Sequence, residues 1–238
     1  MHETQLHESS YFVTLTYDKA PRELDHADFQ LFMKRLRKKH GPIRFYMCGE
    51  YGDTTNRPHY HACLFGLHLS DLELYSEAGG NRLYTSETLS AVWTHGYCTI
   101  GQITMESAQY VASYCVKKIT GPRATEHYTR VDADTGEIYQ IKPEYARMSL
   151  KPGIAKDWIR KYVNDVYNYD YVIVNGRKQK TPRYYDKHLR ETDPLRLEAL
   201  QIPREQKAKE TEGENTPDRL KTIETVTRAR LQLKKRTL

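Results

Sequence analysis

Residues 11–17 (YFVTLTY) bring β-branched and aromatic side chains together, the composition of a strand. From 25 to 39 the spacing changes. Phe29, Phe32, Met33 and Leu36 fall at i, i+3, i+4 and i+7, one face of an amphipathic helix whose outer face carries KRLRKK. Gly41-Pro42 stops it. Residues 43–51 (IRFYMCGEY) return to alternation, with Ile43, Phe45 and Met47 on one side and Arg44, Tyr46, Cys48 and Glu50 on the other. A polar loop (GDTTNR) leads to a third strand at 58–66 (PHYHACLFG). The pattern then predicts a helix at 86–94 opened by Ser86, a fourth strand at 97–103 and a helix at 105–118. The order βαββαβα predicts an α+β fold of ferredoxin-like, RRM-like kind, an antiparallel sheet with helices packed on one face.

Beyond Thr120 the periodicity weakens. Residues 127–142 suggest a hairpin around Asp134-Thr135-Gly136, residues 154–166 a helix, and Asn175-Gly176 a tight hairpin turn. From 186 the strand signals end and the chain becomes charged, with 13 Lys+Arg against 10 Asp+Glu. The expected organisation is one domain over 1–185, elaborated at its C-terminal end, and a tail over 186–238 that is helical or partly disordered. No run of the 238 residues approaches the roughly 18 apolar positions of a membrane span, and the N-terminus has no apolar core of a secretory signal. The four cysteines, Cys48, Cys63, Cys98 and Cys115, form no CxxC pair, which argues against a disulfide framework and for a reduced, cytosolic setting. A net charge of +6 permits a polyanionic partner without demonstrating one. The 19 tyrosines say more, because Tyr is a stacking surface, a hydrogen-bonding hydroxyl and a possible nucleophile.

Three features carry chemistry when taken together. In Pro58-His59-Tyr60-His61, strand alternation puts His59 and His61 on one face with Cα atoms roughly 6.5–7 Å apart. Glu50 stands on the polar side of the preceding strand, so pairing of 43–51 with 58–66 brings it beside them. Two imidazoles and a carboxylate leave positions open on an octahedral divalent ion, which suits Mg²⁺ or Mn²⁺; zinc also accepts this set. Each of these residues alone reads as readily as an ordinary exposed side chain. The third feature is Tyr110-x-x-x-Tyr114, whose hydroxyls share one helix face about 6 Å apart along the axis, with Lys117 on the same face. The apolar positions Ala108, Val111, Ala112, Cys115, Val116 and Ile119 are expected to cover the other side. The combination suggests that a metal held by His59, His61 and Glu50 polarises a DNA phosphate while a tyrosine hydroxyl attacks phosphorus. The products would be a 5′-phosphotyrosyl link and a free 3′-OH, with Lys117 assisting the nucleophile or protonating the leaving oxygen.

These residues resemble a known family. His59-Tyr60-His61 in PHYHACLFG, with Glu50 in CGEYGD before it, is similar to the HUH endonuclease superfamily. FVTLTY at 12–17 resembles its first motif, and YVASYCVKK at 110–118 the two-tyrosine motif of rolling-circle initiators. The resemblance is closest to initiators of small single-stranded DNA microviruses of the gokushovirus type. It extends through PEYARMSLKPGIAKDW (143–158) and PRYYDK (182–187), covering residues 11–187 and not clearly the tail. It implies the HUH endonuclease fold, metal ligation by His59, His61 and Glu50, paired nucleophiles Tyr110 and Tyr114, and Lys117 as the lysine that follows. It also implies a replication initiator that nicks and rejoins single-stranded DNA at a viral origin in the cytoplasm of a bacterial host. The chain has no GxxxxGK[ST] segment, so a host helicase and replication machinery are expected partners, and no membrane.

For DNA contacts, the basic run on the first helix (Lys34, Arg35, Arg37, Lys38 and Lys39) is the densest cluster. Lys118 after the second tyrosine and the LKKRTL ending add further positive charge, and Tyr46 on an open sheet face offers a stacking surface. Two other readings share the residues. One is a plasmid initiator or single-strand transposase of the same superfamily; the other is a non-catalytic single-strand-binding module with incidental histidines.

Overall fold

The computed structural model describes residues 1–52, 54–132 and 134–233; at 114–117 and 231–233 it describes the backbone alone. The chain divides into two compact units, Met1–Trp158 and Ile159–Leu238.

The first unit is built on β1 (Ser10–Thr16), α1 (His26–His40), β2 (Arg44–Tyr51), β3 (Pro58–Phe65), β4 (Glu73–Ala78), β5 (Asn81–Thr85), α2 (Glu87–Val92), β6 (Cys98–Gln102) and α3 (Met105–Lys117). There follow α4 (Arg123–Tyr128), the short pair β7 (Thr129–Val131) and β8 (Ile138–Gln140), then β9 (Tyr145–Met148). Seven strands form one sheet in the order β4-β5-β6-β1-β3-β2-β9, and their pairings are antiparallel. Its centre, β6-β1-β3-β2, is the split βαβ arrangement expected from the element order, since β3 lies between β1 and β2 and pairs with both.

Local chemistry sets the helices. Asp25 caps α1 by accepting from the Ala27 amide, and Arg37, Lys38, Lys39 and His40 occupy its last turn, where positive charge suits the helix dipole. Phe29, Phe32, Met33 and Leu36 are buried against Val13, Leu15, Met47, Ala62 and Leu64 of the sheet, as their spacing requires. Ser86 caps α2 by accepting from Leu89, and Thr104 and Ser107 form a reciprocal capping box at the start of α3. After α2, Trp93 donates its indole N–H to the Thr16 carbonyl. Gly96 then passes so close to β1 that an added Cβ would stand 2.4 to 2.8 Å from backbone atoms of Thr16, Tyr17 and Asp18. Only glycine fits that crossing.

The antiparallel α+β class stands, with three differences. First, α1 and α2 share a face, but α3 packs on the opposite one, over Phe12, Cys48, Cys63 and Phe65 through Ile103 and Val111. The placement on one face therefore holds only for α1 and α2. Both faces of β1–β3 carry apolar positions, so both need covering. Second, β4, β5 and β9 extend the sheet. The β4–β5 ribbon is polar and mostly exposed, with Leu74 and Tyr75 outward, so it lacks the half-buried alternation that marks a strand. Third, the helix expected at 154–166 is broken into α5 (Lys156–Lys161) and α6 (Val163–Tyr167) at Tyr162.

In the second unit, α6 is followed by the hairpin β10 (Tyr171–Val174) and β11 (Arg177–Lys180), then α7 (Arg183–Thr192), α8 (Pro194–Glu210) and α9 (Pro217–Leu233). Asn175 and Gly176 have φ of 48° and 71°, the left-handed pair that a two-residue hairpin needs. Arg204 bonds both Asp170 and Asp186, and the Tyr167 hydroxyl donates to Asp186 at 3.0 Å. Among the described residues no helix is long and apolar enough to cross a membrane.

Candidate metal and nucleophile centre

The site lies on the three central strands. Pairing sets Glu50 opposite His59 and Cys48 opposite His61, while β1 places Thr16 opposite His59 and Thr14 opposite His61. Directly paired positions stand with Cβ atoms about 5 Å apart, so a one-residue slip of β2 would send Glu50 to the other face. The intervening residue, Tyr60, points the opposite way and fixes the strand. Its hydroxyl donates to the Asp25 carbonyl at 2.6 Å, accepts from the Asp25 amide at 3.1 Å and lies 3.0 Å from the Tyr17 hydroxyl. Burial pushes that hydroxyl up to about 12. Gly49 makes room: a Cβ there would meet the Tyr145, Tyr60 and Leu24 side chains at 3.0 to 3.2 Å.

On the site face Glu50, 2% exposed, gathers three groups at one atom. Oε1 lies 3.0 Å from His59 Nε2 and 2.7 Å from His61 Nε2, and it accepts the Tyr110 hydroxyl at 2.8 Å. Burial alone would raise the Glu50 carboxyl, but the hydrogen bonds from His59 and His61 outweigh it and hold the group at about 2. The rings are fixed from behind. His59 Nδ1 is 3.0 Å from the Arg57 carbonyl, which can only accept, so that nitrogen carries the proton. His61 Nδ1 is 2.9 Å from the Thr14 hydroxyl, its ring stacks on Phe12 at 5.4 Å, and Tyr110 meets it edge-on at 5.1 Å.

These fixed tautomers bear on metal binding. With Nδ1–H of His59 bonded to the backbone, a neutral imidazole turns the lone pair of Nε2 toward a carboxylate oxygen. Two acceptors at 3.0 Å require a proton or a cation between them. One ligand atom from each of Glu50, His59 and His61 lies within 4.8 Å of the others, and the outer partners on the rings are of the kind that orient metal-bound histidines. The donor set therefore fits a divalent ion, and its two imidazoles and one carboxylate do not by themselves choose among Mg²⁺, Mn²⁺ and zinc. Beside His59 opens a cleft of about 410 Å³, lined by Thr14, Thr16, Arg57 and Tyr97 among others. Arg57 braces its wall by donating to the Tyr17 and Asp18 carbonyls, and Tyr97 is 69% exposed at its edge.

The other expected residues are placed as follows. Tyr110 does not face away from the apolar side of α3; it borders Val111, packs on the Phe12–Cys63 cluster and turns inward to Glu50, whereas Ala112 is exposed. The reason is that α3 covers the site face, so its inward side must carry both the apolar stripe and the tyrosine. Tyr114 and Lys117 belong to the backbone of α3, and their side chains lie outside the described residues, as does that of Cys115. Tyr46 is partly buried under α3 and offers no open stacking face. The basic run of α1 is on the side of the sheet away from the histidines. There Arg35 donates to the Val92 carbonyl and Thr94, and Arg37 to the Ile43 carbonyl, while Lys34 and Lys38 are exposed. Lys118 is exposed at the C-terminal cap of α3. The LKKRTL ending lies outside the described residues from 234 onward. Cys48, Cys63 and Cys98 are buried free thiols, and burial raises those of Cys63 and Cys98 to about 12. Sequence reading missed Thr14, Arg57 and Tyr97. The parity of Thr14 and Thr16 in VTLT was the available signal for the first; nothing local pointed to the others.

Comparison with known proteins agrees with this geometry. Residues 10–119, which include the whole candidate centre, match the family model of replication-associated protein ORF2. The chain is 34% identical to replication-associated protein VP4 of Bdellovibrio phage phiMH2K over 207 residues, covering 81% of this chain and 62% of that protein. It is 33% identical to replication-associated protein ORF2 of Spiroplasma virus 4 over 192 residues, 76% of this chain and 56% of the other. To replication-associated protein ORF4 of Chlamydia phage 1 it is 27% identical over 201 residues, 79% and 48%. The chain thus spans between about half and three-fifths of the length of these relatives. No solved structure matches it. The resemblance to microvirus replication proteins is borne out by both comparisons.

Proposed function

Starting from this kinship with microvirus replication-associated proteins, we propose that the chain is a metal-dependent tyrosine endonuclease that nicks single-stranded DNA at a viral origin and rejoins the ends. The observation that carries the reading is the convergence of His59, His61 and the Tyr110 hydroxyl on one oxygen of Glu50. His59, His61 and Glu50 would hold a divalent ion, Mg²⁺ or Mn²⁺, which supplies charge neutralisation at the scissile phosphate. The chain's own residues do the rest. Thr14 and the Arg57 carbonyl keep both imidazoles turned to the ion. Glu50 holds the phenol of Tyr110, so the nucleophile starts at the site rather than searching for it.

In the step itself the Tyr110 oxygen bonds to phosphorus, the bond from phosphorus to the 3′ oxygen breaks, and the phenol proton leaves toward the carboxylate or water. The departing 3′ oxygen takes a proton, for which Lys117 is the proposed donor. Because the phosphotyrosyl link preserves a phosphoester, attack by a 3′-OH reseals the strand. Tyr114 one turn further along α3 would serve the second cleavage. The cleft beside His59 is the proposed seat of the nucleotide next to the scissile phosphate, with Tyr97 as its stacking surface. Lys118 on the helix of Tyr110 is a candidate phosphate contact; Lys34, Arg35 and Lys38 on the far face could reach only flanking DNA. A host helicase would open the duplex, in the host cytoplasm.

The test is direct. Labelled oligonucleotides tiled across the replicon are incubated with the protein in Mn²⁺ or in EDTA and resolved on denaturing gels. A metal-dependent adduct that mass spectrometry maps to Tyr110 or Tyr114 supports the reading. Oligonucleotide binding without an adduct, in protein shown to hold the metal, would move it to a non-catalytic single-strand binder.

A further inference from the structure

The second unit carries a surface that nuclease chemistry does not use. In the β10–β11 hairpin, Tyr171 pairs with Lys180 and Ile173 with Lys178. Paired and alternate positions share a face, so these four side chains stand together on one side of the ribbon. The intervening Val172, 6% exposed, points the other way into the unit's core. The outer side is left open: Ile173 is 55% exposed, every residue of β11 is exposed, and the neighbouring Tyr169 is 68% exposed with its ring 5.8 Å from that of Tyr171. The Lys178 ammonium sits 4.5 Å from the centre of the Tyr171 ring.

Charge gives this face a direction. From Tyr171 to Arg183 the sequence YVIVNGRKQKTPR has four cations and no carboxylate. The adjacent Asp170 is bonded to Arg204 and so does not offset them. Two exposed tyrosines beside closely set cations match a ligand with alternating planar bases and phosphates. A duplex keeps its base faces stacked internally, whereas a single strand offers them. We infer that the β10–β11 hairpin is a second single-stranded DNA contact, with bases stacking on Tyr169 and Tyr171 and Lys178 and Lys180 neutralising the flanking phosphates. The inference takes from the proposed function only the class of ligand.

The test uses the full chain in EDTA, so that it reads binding and never cleavage; a failed nuclease assignment would leave it untouched. Fluorescence anisotropy with a labelled oligothymidine of about 20 nucleotides, long enough for more than one contact, is followed across a salt series. Tyr171→Ala is expected to weaken binding roughly fivefold or more, and Tyr171→Phe to retain it. Lys178→Gln with Lys180→Gln is expected to flatten the plot of log affinity against log salt by about 1.4, about 0.7 for each lost phosphate contact. The two lysines are exposed, so this pair reports even if Tyr171→Ala fails to fold, which circular dichroism checks. Wild-type affinity and slope in the folded lysine double variant would overturn the inference. So would loss of binding to phosphatidylglycerol vesicles in that variant with oligothymidine binding unchanged, since the face would then serve a lipid surface.

Discussion

The two faces of β3 put the same kind of residue to opposite uses. On one, the Tyr60 hydroxyl is closed in by the Asp25 backbone and Tyr17, and burial raises it to about 12. Tyr17 is likewise raised by burial and by its bond to Asp28. Further along that side, Tyr51 accepts from the Leu24 amide and donates to the Lys142 carbonyl. These tyrosines fasten loops to the sheet. On the other face Tyr110 gives its proton to a carboxylate that two imidazoles already hold ionised. A tyrosine is thus structural where its partners are backbone groups and a candidate nucleophile where its partner is an ionised acid at a metal-ligand cluster.

The contrast breaks most sharply in the adduct assay. Tyr110→Phe with Tyr114→Phe should lower covalent product by about 10³-fold or more, since no other residue replaces the nucleophile. Tyr60→Phe should leave adduct per folded molecule unchanged, and equal losses in the two would erase the distinction. Metal affinity, measured by Mn²⁺ titration calorimetry, should come next. His59→Ala removes a ligand and should cost more than the roughly 10- to 100-fold expected when Thr14→Val removes only the partner behind His61. Stability sharpens the other side: Tyr60→Phe strips partners from the buried Asp25 amide and carbonyl and should cost about 1–3 kcal/mol in urea unfolding. Tyr110→Phe should cost less in the same experiment.

The smallest effect at neutral pH is the titration of Glu50. Its carboxyl lies at about 2 against an ordinary 4.5, so the folded metal-free protein binds that proton less readily than the unfolded chain. The resulting stability is complete above pH 4.5 and is lost as pH falls toward 2. Glu50→Gln should flatten the pH dependence of the melting temperature in that window and nowhere above it; an unchanged slope would show that the histidine bonds do not hold the carboxylate.

Much of this was legible in the chain. The spacing of Phe29, Phe32, Met33 and Leu36 placed α1, and alternation in IRFYMCGEY and PHYHACLF separated Met47 from Glu50 and Tyr60 from the histidines. Those are local rules, a period near 3.6 or of 2, and they hold wherever one side of an element is buried. The ribbon β4–β5 and strand β9 escaped because their residues are polar or few, and their Gly79-Gly80 turn and edge pairing carry no hydrophobic signature.

What the sequence by itself determined is the identity and parity of the chemical groups: two histidines on one side of a strand, a carboxylate on the matching side of its neighbour, and tyrosines at one-turn spacing. What only the tertiary structure decided is their meeting. Register put Glu50 opposite His59, the packing of α3 on the histidine face brought Tyr110 across 60 residues to the same oxygen, and α1 took its basic run to the far side. Strand register and helix docking arise from contacts between residues distant in the chain, and the total burial of the folded sheet selects them rather than any local pattern.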